Sequence, residues 1–231
     1  MRRRKSPATA APPPVPFSPE AARAHRAGLG LTPKQVAEGM AAHGVRLLAG
    51  HVLAWENGDL RPGEAEFVAL ARALWCPADQ LMGGRPVSLR DHRLARELSP
   101  DLVAERVGVP LPAYRQAELT GHWDGDPDQT HALAQVLGLR LTELIEATGR
   151  GEALDRLLRQ CVGSRWQPHL RPLAHLVPVP EADLAAVLPV LHQEHHVPSH
   201  WGATAQPRTP TPPLTPRFWH LLSTHNPAIP V

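Results

Sequence analysis

Histidine and cysteine offer the first places to look for chemistry in this chain. His192, His195, His196 and His200 fall close together, and neutral imidazole is a common zinc ligand. Their order, His192-Gln193-Glu194-His195-His196, is not the His-Glu-x-x-His pattern that sets two ligands and a general base on one helix face. No cysteine pair lies nearby. The cluster therefore reads as the solvated, His-rich end of a helix, and no metal is expected. Cys76 and Cys161 are the only cysteines, too few for a disulfide framework and consistent with a reducing cytoplasm. No Gly-rich phosphate loop, carboxylate pair or Ser/His/Asp grouping is recognisable, so the reading is of a protein that is not an enzyme and needs no cofactor. What remains is the cationic run Arg2-Arg3-Arg4-Lys5, which suits phosphate or a minor groove. No apolar stretch follows it, so it does not read as a secretory signal.

The elements that must position such groups follow from composition. The chain has 231 residues, 42% apolar and 20% charged, with net charge +2. That excludes a coiled coil, a collagen-like chain and a highly charged disordered protein. No apolar run approaches the roughly 18 residues of a membrane span. Arg dominates over Lys, with only Lys5 and Lys34 present, as GC-rich coding sequences favour. Proline concentrates at both ends: five in residues 1–17 and seven in residues 203–231. Pro12-Pro13-Pro14 and Thr209-Pro210-Thr211-Pro212-Pro213 cannot continue a helix, so both ends are read as flexible tails, the second interrupted by Arg217-Phe218-Trp219-His220-Leu221-Leu222. Net charge is +4 over residues 1–17, 0 over 18–85, −4 over 86–149 and +2 over 150–231.

An internal repeat is the strongest organising signal. His25–Glu38 aligns with His92–Glu105 at an offset of 67, with 7 of 14 positions identical. Ala69–Leu74 aligns with Ala132–Leu137 at an offset of 63. Two such units suit tandem small domains. Each reads as five short helices. In the first, Ser18-Pro19 and Thr32-Pro33 open helices, Gly58 closes the third, a fourth runs from about Gly63 to Trp75, and Pro77-Ala78-Asp79 opens a short fifth. In the second, Ser88, Ser99 and Asp126 are caps, Gly138 ends the fourth helix, and Thr142 with Glu143 starts the fifth. His25 and His92 occupy matching positions and read as structural. Beyond them, Ala153, Leu154, Leu157, Leu158 and Cys161 form one apolar helix face, and Leu184, Val187, Leu188 and Leu191 another, which Pro189 should kink.

Leu98–Val109 followed by Tyr114-Arg115-Gln116-Ala117-Glu118 resembles the Cro/lambda-repressor (Xre) type of helix-turn-helix, in tandem as in transcriptional regulators of GC-rich bacteria. Val36-Ala37-Glu38 and Trp55-Glu56-Asn57-Gly58 match the same pattern in the first unit. The resemblance covers roughly residues 18–149. It implies an all-α fold: two tandem five-helix domains, 18–85 and 86–149, preceded by a basic Pro-rich arm, 1–17, and followed by a helical extension, 150–202, and a Pro/Thr-rich tail, 203–231.

It also implies which residues would meet DNA. The first recognition helix presents Leu48, Ala49, Gly50, His51, Leu53 and Ala54, of which only His51 offers a hydrogen bond. Arg46 in the lengthened turn, Lys34 and Gln35 at the start of the second helix, and Arg61 are its phosphate candidates. The family's usual Gln after the cap is Pro33 here and Pro100 in the second copy. The second recognition helix presents Arg115 and Gln116 as base readers, but that unit is acidic and Asp101 lies where phosphate would approach. The expectation is a cytoplasmic, nucleoid-associated regulator that binds double-stranded DNA through its first unit and arm. The second unit would serve a homodimer or protein partner, and no membrane is involved. The alternative is an interaction scaffold with the same fold and no DNA binding.

Overall fold

A computed structural model describes residues 13–195 and 213–231. The described residues are all-helical, with no strand among them. None of their helices is long and apolar enough to cross a membrane. They divide into two compact units. The first runs to Pro86 and takes in Arg93–Leu98; the second comprises Val87–His92 and the chain from Ser99 onward.

The first unit holds α1 (Pro19–Gly28), α2 (Pro33–Ala42), α3 (Ala49–Asn57) and α4 (Glu64–Ala73). Ser18 caps α1 by accepting from the Ala21 amide at 3.2 Å. Thr32 and Gln35 form a reciprocal capping box on α2, with Thr32 Oγ1 accepting from Gln35 N and Gln35 Oε1 accepting from Thr32 N. A left-handed Gly58 ends α3. The expected short fifth helix is a single 3₁₀ turn, Ala78–Leu81, with Pro77 at its N-cap. The core gathers Val36, Met40, Val52, Trp55, Phe67, Leu70, Leu74 and Leu81.

Here the flexible-arm expectation for residues 1–17 needs correction at its inner end. Val15 and Phe17 are buried in this core, and the Phe17 ring meets Phe67 edge-on with centroids 6.5 Å apart. Two apolar side chains outweigh the prolines around them. Arg2, Arg3, Arg4 and Lys5 lie outside the described residues.

The helix α5 (Leu89–Ala95) supplies residues to both units. The second unit continues with α6 (Pro100–Val107), α7 (Leu111–Thr120), α8 (Pro127–Leu137) and α9 (Leu141–Ala147). Ser99 and Asp126 cap α6 and α8 as read from the sequence. Next come α10 (Gly151–Gly163), α11 (Leu170–Leu176), α12 (Glu181–His195) and α13 (Leu214–His225). The apolar faces of α10 and α12 are buried, and α12 continues through Pro189 to His195.

The tail expected over residues 203–231 is helical over Leu214–His225. Within it α13 packs on α10 and α12, burying Phe218, Trp219 and Leu222. Thr215 donates to Asp155, Arg217 forks onto Glu194, and the Leu141 amide donates to the Pro230 carbonyl at 2.7 Å. Pro216 does not prevent this helix. It falls in the first turn, where an amide has no intrahelical partner. Thus residues 150–195 and 213–231 belong to the same compact unit as α6–α9, not to an extension and a tail.

Candidate nucleic-acid interface

The α2–turn–α3 segment of the first unit is built so that one set of side chains is buried and the other faces out. Val36, Ala37 and Met40 of α2 are buried, as are Val52, Trp55 and Glu56 of α3. Their i, i+3, i+4 spacing puts His51, Leu53 and Asn57 on the outside. Leu48, at the start of α3, is 74% exposed.

Glu56 is a carboxylate at 4% exposure, and Arg26 of α1 neutralises it. Arg26 Nε and Nη2 reach Oε1 and Oε2 at 2.6 and 2.8 Å, while Nη1 donates to the Leu31 carbonyl at 2.9 Å. Arg23 adds a bond to the Glu56 carbonyl and one to Asn57 Oδ1. The end of α3 is thereby fixed to α1. The hydrogen bond to Glu56 pushes the Arg26 pKa above its ordinary value. The sequence named Glu56 and Arg26 separately; their pairing needed the fold. The matched arginine of the repeat, Arg93, makes the equivalent bond to Leu98 at 3.0 Å and pairs with Glu64 at 2.9 Å.

The predicted phosphate contacts divide. Lys34 and Arg46 are exposed, Lys34 with Glu38 at 3.7 Å. Gln35 uses its side-chain oxygen in the α2 capping box. Arg61 donates to the Val15 carbonyl at 3.4 Å, so its guanidinium holds the entering chain. Of the predicted base readers, His51 is exposed on the first turn of α3.

In the second unit, α6 and α7 present a different surface. Tyr114 and Ala117 are buried, and Arg115 and Gln116 are exposed. Arg115 stands 3.8 Å from Asp101. Gln116 lines a cavity of about 510 Å³ together with Thr120, His122, Trp123, Asp124 and Gln129. Trp123 is buried and donates to Thr130 Oγ1 at 2.9 Å. Arg150 holds this segment, donating to the carbonyls of Trp123 and Gly125 and to that of Leu176 at 3.2–3.3 Å. Burial pulls the Arg150 pKa below its ordinary value, against the pull of Asp124. Asp101, Glu105, Asp124, Asp126 and Asp128 are all exposed.

The histidine cluster resolves partly. His192 Nδ1 lies 2.9 Å from the Cys161 carbonyl and His195 Nδ1 3.0 Å from the Leu191 carbonyl. His196 and His200 lie outside the described residues. Among the described residues no group of three or more His, Cys, Asp or Glu is placed to hold a metal ion.

Comparison with known proteins finds no matching family model, no matching curated protein and no matching solved structure.

Proposed function

We propose that the chain is a DNA-binding regulator whose first unit lays α3 in the major groove of duplex DNA. The observation that carries this reading is the outward placement of Lys34, Arg46 and His51 on α2, the turn and α3, while the apolar positions of both helices are buried. Lys34 and Arg46 neutralise phosphate, the main source of affinity for DNA. His51 supplies one hydrogen bond to a base edge, weaker than a bidentate contact. The cations Arg2–Lys5 add phosphate contacts that position without reading sequence. The second unit, with exposed carboxylates around α7, docks a protein partner or a second protomer. On this reading the protein works in the cytoplasm, on the nucleoid.

A second reading is favoured by one specific observation: Leu48, the N-cap of α3, and Leu53 within it are exposed. Under it the same helix docks a protein and the chain is a scaffold. Titrating the full chain against random duplex DNA over increasing salt separates the two. A steep loss of affinity with salt supports the regulator. No binding at low salt overturns it.

A further inference from the structure

The side chains that α3 leaves uncovered are mostly apolar. Leu48 at its N-cap is 74% exposed and Leu53 45%. Ala49 and Ala54 are half-buried. Gly50 carries no side chain, and the space where a Cβ would stand is open. Of the hydrogen-bonding side chains, Trp55 and Glu56 are buried. Asn57 lies at the far end, where its Oδ1 accepts from Arg23 at 3.1 Å. That leaves His51, exposed in the first turn. The matching helix of the second unit differs: α7 exposes Arg115 and Gln116, the types that pair bidentately with guanine and adenine.

The charges on this segment suit a polyanion. From α2 through α3 the exposed charged side chains are Lys34, Glu38 and Arg46, and Glu38 stands 3.7 Å from Lys34. The one carboxylate on α3 is Glu56, buried and neutralised by Arg26. No exposed acid on the helix itself opposes phosphate.

We propose, on the DNA-binding reading above, that α3 reads the 5-methyl groups of thymine, with Leu48 and Leu53 setting the preference. Every base pair shows donors and acceptors in the major groove, but only thymine shows an apolar group there. An alkyl side chain set against a guanine, cytosine or adenine edge strips water from polar groups and returns no hydrogen bond. Set against a thymine methyl, it removes apolar surface from water on both sides. Leucine therefore selects thymine by exclusion as well as by contact. Gly50 lets a base edge come close to the helix, within reach of side chains as short as Ala49 and Ala54. His51 supplies the accompanying hydrogen bond.

The test selects binding sites for the full chain from a random duplex pool, then rebuilds the selected duplex with deoxyuridine in place of thymidine. An A·U pair keeps every hydrogen-bonding group of A·T and lacks the methyl alone. The expected result is thymine-containing sites whose affinity falls about fourfold for each contacted methyl removed. The dependence on salt should be the same for both duplexes. Leu48→Ser and Leu53→Ser should each bring the thymine-to-uracil ratio toward one and leave the salt slope unchanged. Neither should unfold the chain, since both positions are exposed, and Leu48→Ser adds the side-chain cap that α3 lacks. Equal affinity for the two duplexes, selected sites without thymine, or a ratio unchanged in both variants overturns the proposal and leaves the DNA-binding reading standing. No binding to any duplex at low salt overturns both and assigns α3 to a protein partner.

Discussion

Arg26 and Glu56, 30 residues apart in the chain, meet fork to fork, and the Glu56 carboxylate is the more buried partner. The burial is unequal, and so is the expected damage. Arg26→Met strands a charge in the core and should destabilise by about 3 kcal/mol. Glu56→Gln leaves Arg26 partly solvated and still bonded to Leu31, so it should cost clearly less. Urea unfolding of both variants checks this; equal losses would sink it.

Burial pushes the Cys161 thiol up to about 11. Burial, then Glu97 and Asp79, raise Cys76 as well. At pH 8 the thiolate of Cys161 is about two orders of magnitude scarcer than that of an ordinary cysteine with pKa about 8.5. Ellman's reagent should therefore label neither thiol rapidly in the folded chain and both in denaturant. Fast native labelling of Cys161 would contradict the structure.

Two surface carboxylates carry a pH signature. Arg217 holds Glu194, and Arg140 holds Glu143, below the ordinary carboxylate range, chiefly through direct hydrogen bonds. A carboxylate with a depressed folded pKa contributes stability above its unfolded value, about 4.3. That contribution fades as pH falls through the folded value. Glu194→Gln should lower the melting temperature at pH 6, and the gap to wild type should close toward pH 3. A gap independent of pH would mean that the Arg217 pairing is not its source.

Gly149 has φ 67, and a Cβ there would stand 2.5 Å from the Gly121 carbonyl oxygen. Gly108 has φ 77 with open space around it. Gly108→Ala should therefore cost about 1 kcal/mol, the strain alone. Gly149→Ala should cost at least about 2 kcal/mol, because the backbone must also move. Similar thermal shifts in the two variants would refute the contact.

If the first unit binds DNA, Lys34→Ala and Arg46→Ala should each reduce the slope of log affinity against log salt by about one. Arg115→Ala should leave the slope unchanged, since its guanidinium faces Asp101. A loss of slope in Arg115→Ala alone would move the interface to the second unit.

The helical class was legible because each cap is a local chemical event. Ser18, Thr32, Ser99 and Asp126 act as caps within three residues of themselves. The outward placement of His51, Arg115 and Gln116 was expected from the resemblance, and all three are exposed. What stayed hidden depends on contacts remote in sequence. Pro213 and Pro216 look like helix breakers until α13 begins between them, with apolar side chains that α10 and α12 cover. Val15 and Phe17 sit among prolines and declare themselves only against Phe67. Arg61 carries the same charge as Arg46 and is exposed like it, but only the fold shows that Arg61 reaches the Val15 carbonyl.

The chain crosses between its two units more than once: out after Pro86, back at Arg93 and out again at Ser99. No single peptide-bond cut can therefore release either unit whole. A fragment ending at Pro86 loses Leu94 from its core and the Arg93 guanidinium from Glu64. The duplicated sequence has one seam and the folded chain has another. Deletion series drawn along the repeat will report on damaged cores as much as on separate activities, and interior point substitutions are the sounder way to assign roles to each half.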